Sequence, residues 1–117
     1  MLLAEDDELI LKTIEHKLKK EGFEVILTRN GQEAIELIRS QKIDLIISDI
    51  MMPFASGIEI LAEVKLLEQP IPIIMLSSMG QEEIVIEAFE MGASDYMIKP
   101  FSPNELILRI NKLLNRP

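Results

Sequence analysis

The 117 residues of this chain carry 20 acidic and 12 basic side chains, which gives a net charge of −8. A chain this acidic argues against a domain that binds nucleic acid through its phosphates. The length allows one domain with one core, and the absence of cysteine excludes disulfides and thiolate metal sites. We expect no secretion signal, and the apolar runs are too short for a membrane-spanning helix of about 20 residues.

The predicted elements alternate between strand and helix five times along the chain. Short apolar runs predict strands, and apolar residues three or four positions apart predict helices. In chain order we expect a strand at 1–4, a helix at 7–20, a strand at 24–28, a helix at 32–39, a strand at 43–48, a helix at 57–67, a strand at 73–76, a helix at 81–91, a strand at 95–98 and a helix from Pro103. The inward residues are predicted to be Ile10, Ile14 and Leu18 on the first helix and Leu106, Ile110 and Leu113 on the last.

This alternation predicts an α/β fold with a parallel sheet covered by helices on both faces. With right-handed crossovers, we expect a flavodoxin-like, doubly wound sheet of five strands in the order 2-1-3-4-5, with five helices. We expect residues 1–117 to form this single domain. We expect that both ends are cut from a longer protein and that an output domain follows.

Five polar residues each follow one of the predicted apolar strands: Glu5, Asp6, Asp49, Ser77 and Lys99. Because the carboxyl ends of parallel strands meet at one edge, these side chains should share a single cleft. Three carboxylates in one cleft repel each other, and one lysine cannot neutralise them all. The pattern therefore indicates either a metal ion or strongly shifted pKa values.

Four segments in order surround these residues: Leu3-Ala4-Glu5-Asp6-Asp7, Ser48-Asp49-Ile50-Met51-Met52-Pro53 with Gly57 beyond, Met75-Leu76-Ser77-Ser78, and Gly92-Ala93-Ser94-Asp95-Tyr96-Met97-Ile98-Lys99-Pro100-Phe101. Together they resemble the receiver domains of two-component response regulators, over essentially the whole chain. Any one segment would be weak support, but all four in order at strand ends form a strong signal.

The resemblance implies that Asp49 is a phosphoacceptor, whose carboxylate attacks the phosphorus of a donor phosphohistidine. It implies a Mg²⁺ ion held by Asp6, Asp49 and the backbone carbonyl of Met51, with Glu5 bound through water. Such a domain phosphorylates and dephosphorylates itself and is not a turnover enzyme. The implied partner is a histidine kinase or phosphotransfer protein, and the implied location is the cytoplasm.

The resemblance also implies a switch. Lys99 pairs with a phosphoryl oxygen, the Lys99–Pro100 bond is cis, and Ser77 donates its hydroxyl once Asp49 is modified. Tyr96 then rotates inward and the face of the fourth helix, fifth strand and fifth helix changes shape.

Met51 and Met79 stand beside the phosphoryl group in this resemblance. Neither side chain can orient an attacking water, so we expect a long-lived phosphorylated form.

The same face resembles that of a subfamily whose receivers dimerise and carry a winged-helix DNA-binding domain, which implies transcription regulation. In this reading Asp95 and Arg109 form an intermolecular ion pair, while Val85 replaces the basic partner expected for Glu105. We expect a homodimer through this face, with no nucleic acid or membrane bound by the domain itself. The predicted apolar residues of the face are Ile84, Val85, Ile86, Phe89, Ile107 and Leu108.

Three other functions compete with this interpretation. A haloacid-dehalogenase-like phosphatase needs a second aspartate where Met51 stands. A nucleotide or flavin binder needs a glycine-rich loop after the first strand, where this chain has three acids. A pseudo-receiver that only binds partners remains the alternative, although the intact set of acids, hydroxyl and lysine argues against it.

Overall fold

The computed structural model describes residues 1–52, 56–78 and 80–115. In this part of the chain, five strands alternate with five helices. The strands are β1 (Leu2–Ala4), β2 (Ile26–Thr28), β3 (Ile46–Asp49), β4 (Ile73–Ser77) and β5 (Asp95–Ile98). The helices are α1 (Glu8–Lys20), α2 (Gly31–Ser40), α3 (Gly57–Lys65), α4 (Glu82–Glu90) and α5 (Pro103–Leu113). None of the helices described here is both long and apolar enough to cross a bilayer.

All strand pairs are parallel, and the strand order is β2-β1-β3-β4-β5, which confirms the predicted fold. Ala4 pairs with Ser48 of β3, and Ser77 pairs with Ile98 of β5. The carboxyl ends of four strands are therefore aligned at one edge of the sheet. This alignment sets the residues that end or follow those strands side by side.

β3 begins later than the sequence pattern predicts, because its neighbours limit the ladder. β3 begins at Ile46 although the apolar run begins at Ile43. Its neighbour β1 starts only at Leu2, whose N–H donates to the carbonyl of Leu45. On the other side of β3, Pro72 has no N–H to donate. Only its carbonyl takes part in the ladder, where it accepts a hydrogen bond from the N–H of Ile46.

Apolar side chains form one cluster on each face of the sheet. One cluster joins the sheet to α2, α3 and α4, and it includes Ala34, Ile38, Ile60, Leu61, Val64 and Ala88. The other joins it to α1 and α5, and it includes Leu11, Ile14, Leu18, Leu106, Ile107 and Ile110. The three central strands β1, β3 and β4 are thus buried on both faces, as expected in a parallel sheet.

The inward faces of α1 and α5 differ from the prediction by one position each. Leu11 is fully buried and Ile10 only partly, because alternating steps of three and four residues follow a 3.6-residue turn better than repeated steps of four. On α5, Ile107 is buried and Leu113 only partly. Asp7 is the N-cap of the first helix, and its side chain accepts hydrogen bonds from the N–H groups of Leu9 and Ile10.

Candidate functional site

Backbone hydrogen bonds of the sheet hold the site residues in place. The N–H of Glu5 donates to the carbonyl of Thr28 at 3.1 Å. The N–H of Lys99 donates to the carbonyl of Ser77 at 2.7 Å, which ties the ends of β4 and β5 together. The Lys99–Pro100 bond is cis, as expected from the resemblance. Side chains anchored on strands are positioned more accurately than side chains on free loops.

The Lys99 ammonium lies between two buried carboxylates. Its Nζ is 2.9 Å from Asp49 Oδ2 and 3.0 Å from Glu5 Oε2. The Glu5 side chain is fully buried, and that of Asp49 is 11% exposed. Burial alone would lower the pKa of Lys99, but its ion pairs with Asp49 and Glu5 outweigh burial and raise it.

One carboxylate oxygen each from Glu5, Asp6 and Asp49 can be chosen so that all three lie within 4.8 Å of one another. Glu5 and Asp49 are buried and Asp6 is exposed, so the cluster opens to solvent on the Asp6 side. Among the described residues, Glu5 Oε2 receives no hydrogen bond, and its contact with Lys99 is an ion pair. A buried acceptor in a cluster of hard oxygen donors fits a Mg²⁺ ion.

Both oxygens of Asp49 already have partners. Oδ1 accepts a hydrogen bond from the N–H of Met51 at 3.2 Å, and Oδ2 accepts one from Lys99. Next to it, the Ser48 hydroxyl donates to the Asp49 carbonyl at 2.9 Å, which holds the backbone of the residue. The carboxylate is therefore held in a fixed orientation, which suits a nucleophile.

The burial of Glu5 raises its pKa from 4.5 to about 7. The negative charge of Asp49 adds to this rise, while Lys99 and the N–H of Asp7, which donates to Oε1, oppose it. An acid whose pKa is raised by folding binds its proton more tightly in the folded state. Stability therefore falls as the pH rises from about 4.5 towards 7, and the loss is complete above 7.

We predict that Glu5→Gln stabilises the metal-free domain at pH 8 by about 1–2 kcal/mol, less than the full pKa shift implies because Lys99 loses an ion-pair partner. The gain should shrink as the pH approaches 4.5. Urea unfolding in EDTA across this pH range measures it. The control is Glu15→Gln, because Lys19 lowers the pKa of Glu15 and its removal should not stabilise. Equal stability of Glu5→Gln and wild type at pH 8 would contradict the prediction.

Ser77 and Tyr96 are placed differently with respect to the cluster. Ser77 is fully buried at the end of β4, on the same edge as Asp49. Tyr96 is 8% exposed and packs in the core cluster that contains Ala88 of α4. The structure thus already holds Tyr96 inward, and its predicted rotation stays a prediction.

The residues predicted for the dimer face do not all lie at the surface. Ile86 and Phe89 are nearly half exposed, whereas Ile84 and Val85 are partly buried. Ile107, predicted to belong to the exposed patch, is only 8% exposed and packs in the core. One position along α5 turns a side chain by about 100°, which moves Ile107 from the patch to the core.

Arg109 pairs within its own chain. Its Nη1 is 2.7 Å from Asp95 Oδ1, and its Nη2 is 2.9 Å from Glu105 Oε1. The sequence predicted an ion pair between Asp95 and Arg109 of different copies and did not predict this internal pair. The only signal for it was the spacing of Glu105 and Arg109, which suits an i,i+4 pair on a helix.

Two further features of the site were not predicted from the sequence. A groove of about 470 Å³ borders Lys99 and is walled mainly by apolar residues, Leu9, Ile10, Ile14, Pro100, Phe101 and Pro103. Gly57, noted only as part of a motif, packs against the backbone of Asp49 and Ile50. The Gly57 N–H also donates to the Ile50 carbonyl at 3.0 Å.

Met79, predicted to stand beside the phosphoryl group, lies outside the described residues.

Comparison with known proteins agrees with this geometry. Residues 1–111 match the model of the family described as the response regulator receiver domain. The chain belongs to this family. The receiver domain is 43% identical over 116 residues to the response regulator SaeR of Staphylococcus aureus, which covers 99% of the chain and 50% of SaeR. The chain thus spans about half the length of the curated relatives it matches.

Solved structures show the same receiver architecture. The receiver domain of the Francisella response regulator 1452 superposes with a TM-score of 0.92 at 37% identity, covering 97% of this chain and 94% of that one. The chemotaxis response regulator CheY4 of Vibrio cholerae gives a TM-score of 0.89 at 31% identity, covering 96% and 95%. The sequence resemblance is confirmed.

Proposed function

We propose that this receiver domain is a signalling switch that accepts a phosphoryl group on Asp49. A carboxylate oxygen of Asp49 forms a bond to phosphorus while the P–N bond of a phosphohistidine breaks, which leaves an acyl phosphate. The observation that carries the proposal is the buried Asp49 carboxylate, which belongs to a cluster of three acids and is paired with Lys99. The domain acts once per modification and is not a turnover enzyme.

We propose that Asp6, Asp49 and the Met51 carbonyl bind Mg²⁺ directly and that Glu5 binds it through water. When bound, Mg²⁺ offsets the negative charge of the transferring phosphoryl group. Lys99 then pairs with one phosphoryl oxygen, and the Ser77 hydroxyl donates to another. The ammonium already lies 2.9 Å from the Asp49 carboxylate, which supports its role at this position.

The donor is a histidine kinase or phosphotransfer protein of the cytoplasm. It must bring a phosphohistidine close to Asp49 and Lys99, so it must cover the rim of the cleft. The apolar groove between α1 and the Lys99–Pro103 segment borders Lys99 and offers a surface for that contact. The exposed side chain of Leu9, with 78% of its surface accessible, lies in its wall.

Phosphorylation changes the face formed by α4, β5 and α5. The phosphoryl group adds nearly two negative charges and draws Ser77 towards it, and the chain that follows β4 moves with it. Tyr96 packs in the same core cluster as Ala88 of α4, so this movement changes the space available to its side chain. This face controls dimerisation or an output domain, and the output is transcription regulation.

We predict that phosphorylation favours a dimer through this face. Arg109 would exchange the Asp95 of its own chain for that of a second copy, while Ile86 and Phe89 would be buried. Arg109→Glu should weaken the dimer, whereas Arg39→Glu should not, because Arg39 pairs with Glu63 of α3 outside the face. Sedimentation of the phosphorylated protein measures this, and a strict monomer in both states would refute it.

We predict that the acyl phosphate is long-lived because Met51, 61% exposed beside Asp49, cannot orient an attacking water. Met51→Asn combined with Met79→Glu should shorten its lifetime severalfold. The decay of the phosphorylated mass after removal of the donor gives the lifetime. A double variant that decays as slowly as wild type would exclude this role.

Labelling with acetyl phosphate tests the proposed function. The wild-type domain should gain one phosphoryl group, and EDTA should prevent the gain. A folded domain that acquires no phosphoryl group would instead be a pseudo-receiver, which acts only through protein contacts.

A further inference from the structure

We propose that the Met51 side chain is a site of reversible oxidation and that its sulfoxide shortens the lifetime of the acyl phosphate on Asp49. The inference rests on the phosphorylation of Asp49 in the proposed function and adds a chemical modification that regulates it. The oxidant is a hydroperoxide, of which hydrogen peroxide is the simplest example. The phosphorylated state would therefore end sooner under oxidising conditions.

Met51 differs in exposure from the other methionines that the structure describes. It is 61% exposed and lies directly after β3, at the edge of the sheet that carries the acid cluster. The other described methionines are buried or partly buried in the core, and they are Met1, Met52, Met75, Met91 and Met97. A peroxide must reach the thioether sulfur, so exposure decides which methionine reacts first. Met51 should be oxidised before the other members of this set.

Oxidation converts the apolar side chain of Met51 into a polar one without changing its charge. A lone pair of Met51 Sδ forms a bond to one oxygen of hydrogen peroxide while the O–O bond breaks. The proton of the transferred oxygen passes to the other oxygen, which leaves as water. The sulfur loses two electrons and the peroxide gains them, and methionine sulfoxide reductases reverse the modification.

The sulfoxide would lie next to the phosphoryl group. The N–H of Met51 donates to Asp49 Oδ1 at 3.2 Å, so the modified residue is anchored to the acceptor carboxylate itself. Hydrolysis of the acyl phosphate requires a water that attacks phosphorus, and an acceptor beside the group can orient that water. Thioether sulfur is only a weak acceptor, whereas the oxygen of a sulfoxide is a strong one. Oxidation would thus act in the same direction as the polar side chain of Met51→Asn.

Peptide mapping after brief treatment with hydrogen peroxide tests the modification without any phosphoryl donor. Met51 should be converted to the sulfoxide severalfold faster than Met75, which is fully buried, and methionine sulfoxide reductase should remove it. Fragmentation of the peptide that contains both Met51 and Met52 assigns the added oxygen to one of them. Equal rates of oxidation at Met51 and Met75 in the folded protein would overturn the inference.

The lifetime of the acyl phosphate is the second measurement. The protein is oxidised, freed of peroxide, labelled with acetyl phosphate and followed by intact mass after removal of the donor. Oxidised wild type should lose its phosphoryl group severalfold faster than reduced wild type, and reductase treatment should restore the slower decay. In Met51→Leu, which has no sulfur at this position, the lifetime should be the same with and without peroxide. Met91→Leu is the matched control and should keep the response of wild type.

Two outcomes of the lifetime measurement would overturn the inference alone. One is an unchanged lifetime of wild type in which Met51 has been fully oxidised. The other is a response to peroxide that persists in Met51→Leu and disappears in Met79→Leu, which would assign the effect to Met79. If the reduced protein is not labelled at all, phosphorylation of Asp49 fails, and the inference fails with it.

Discussion

Replacing Asp49 with Ala is expected to abolish labelling by acetyl phosphate, with a loss of at least about 100-fold. The carboxylate is the nucleophile, and no other group of the cleft can take its place. Glu5 is fully buried and bound to the N–H of Asp7, and Asp6 lies on the exposed side of the cluster. Intact mass spectrometry over a time course measures the loss.

The Asp49→Ala variant should stay folded, because the substitution removes one of three crowded acids and so reduces the repulsion between them. Asp44→Ala is the matched control. Asp44 is an exposed acid just before β3, and Asp49 ends this strand at the opposite edge of the sheet. Labelling of Asp44→Ala should match that of wild type. If Asp49→Ala is labelled at the wild-type rate, Asp49 is not the acceptor.

Gly57→Ala is expected to destabilise the domain by about 3 kcal/mol and to slow labelling. A Cβ atom at Gly57 would lie 2.7 Å from the Asp49 carbonyl oxygen and 2.9 Å from Ile50 Cα. Both are backbone atoms of the strand end that carries the acceptor, and they cannot rotate away. The added methyl group therefore displaces either α3 or Asp49 itself.

Gly80→Ala is a matched control for this effect. Its Cβ would also meet an atom at 2.9 Å, but that atom is the Cδ1 end of the flexible Ile98 side chain. Urea unfolding should show a small change for Gly80→Ala and a large one for Gly57→Ala. Equal stabilities for the two variants would show that the backbone near Asp49 tolerates the methyl group.

The edge of the sheet where the site lies could be predicted from the sequence. The apolar runs are short and regularly spaced, and a parallel sheet brings their carboxyl ends together whatever the details of packing. This is why Glu5, Asp49, Ser77 and Lys99 were all expected at one edge. The strand order and the cis bond before Pro100 were also predicted correctly.

The pairing of individual side chains could not be predicted. Lys99 and Asp49 are 50 residues apart in sequence, and a long lysine side chain could reach any acid of the cleft. Its position between Glu5 and Asp49 depends on the register of four strands. Arg109 likewise had several acids within reach, and the structure pairs it with Asp95 and Glu105 of its own chain.

Helix faces were predicted less accurately than strands. A shift of one residue changes the direction of a helical side chain by about 100°, so small errors in the assumed stripe move residues between core and surface. Ile107 was assigned to the surface in this way, and Ile10 to the core. The crowding around Gly57 also depends on how α3 approaches β3, which no local pattern encodes.

The most direct test of phosphorylation on Asp49 is to locate the phosphoryl group in the wild-type protein. The domain is treated with acetyl phosphate and Mg²⁺, and the acyl phosphate is trapped by borohydride reduction before peptide mapping. We expect a single modified residue, Asp49, and none in EDTA. Modification at Asp6, at Ser77 or at several positions would contradict it.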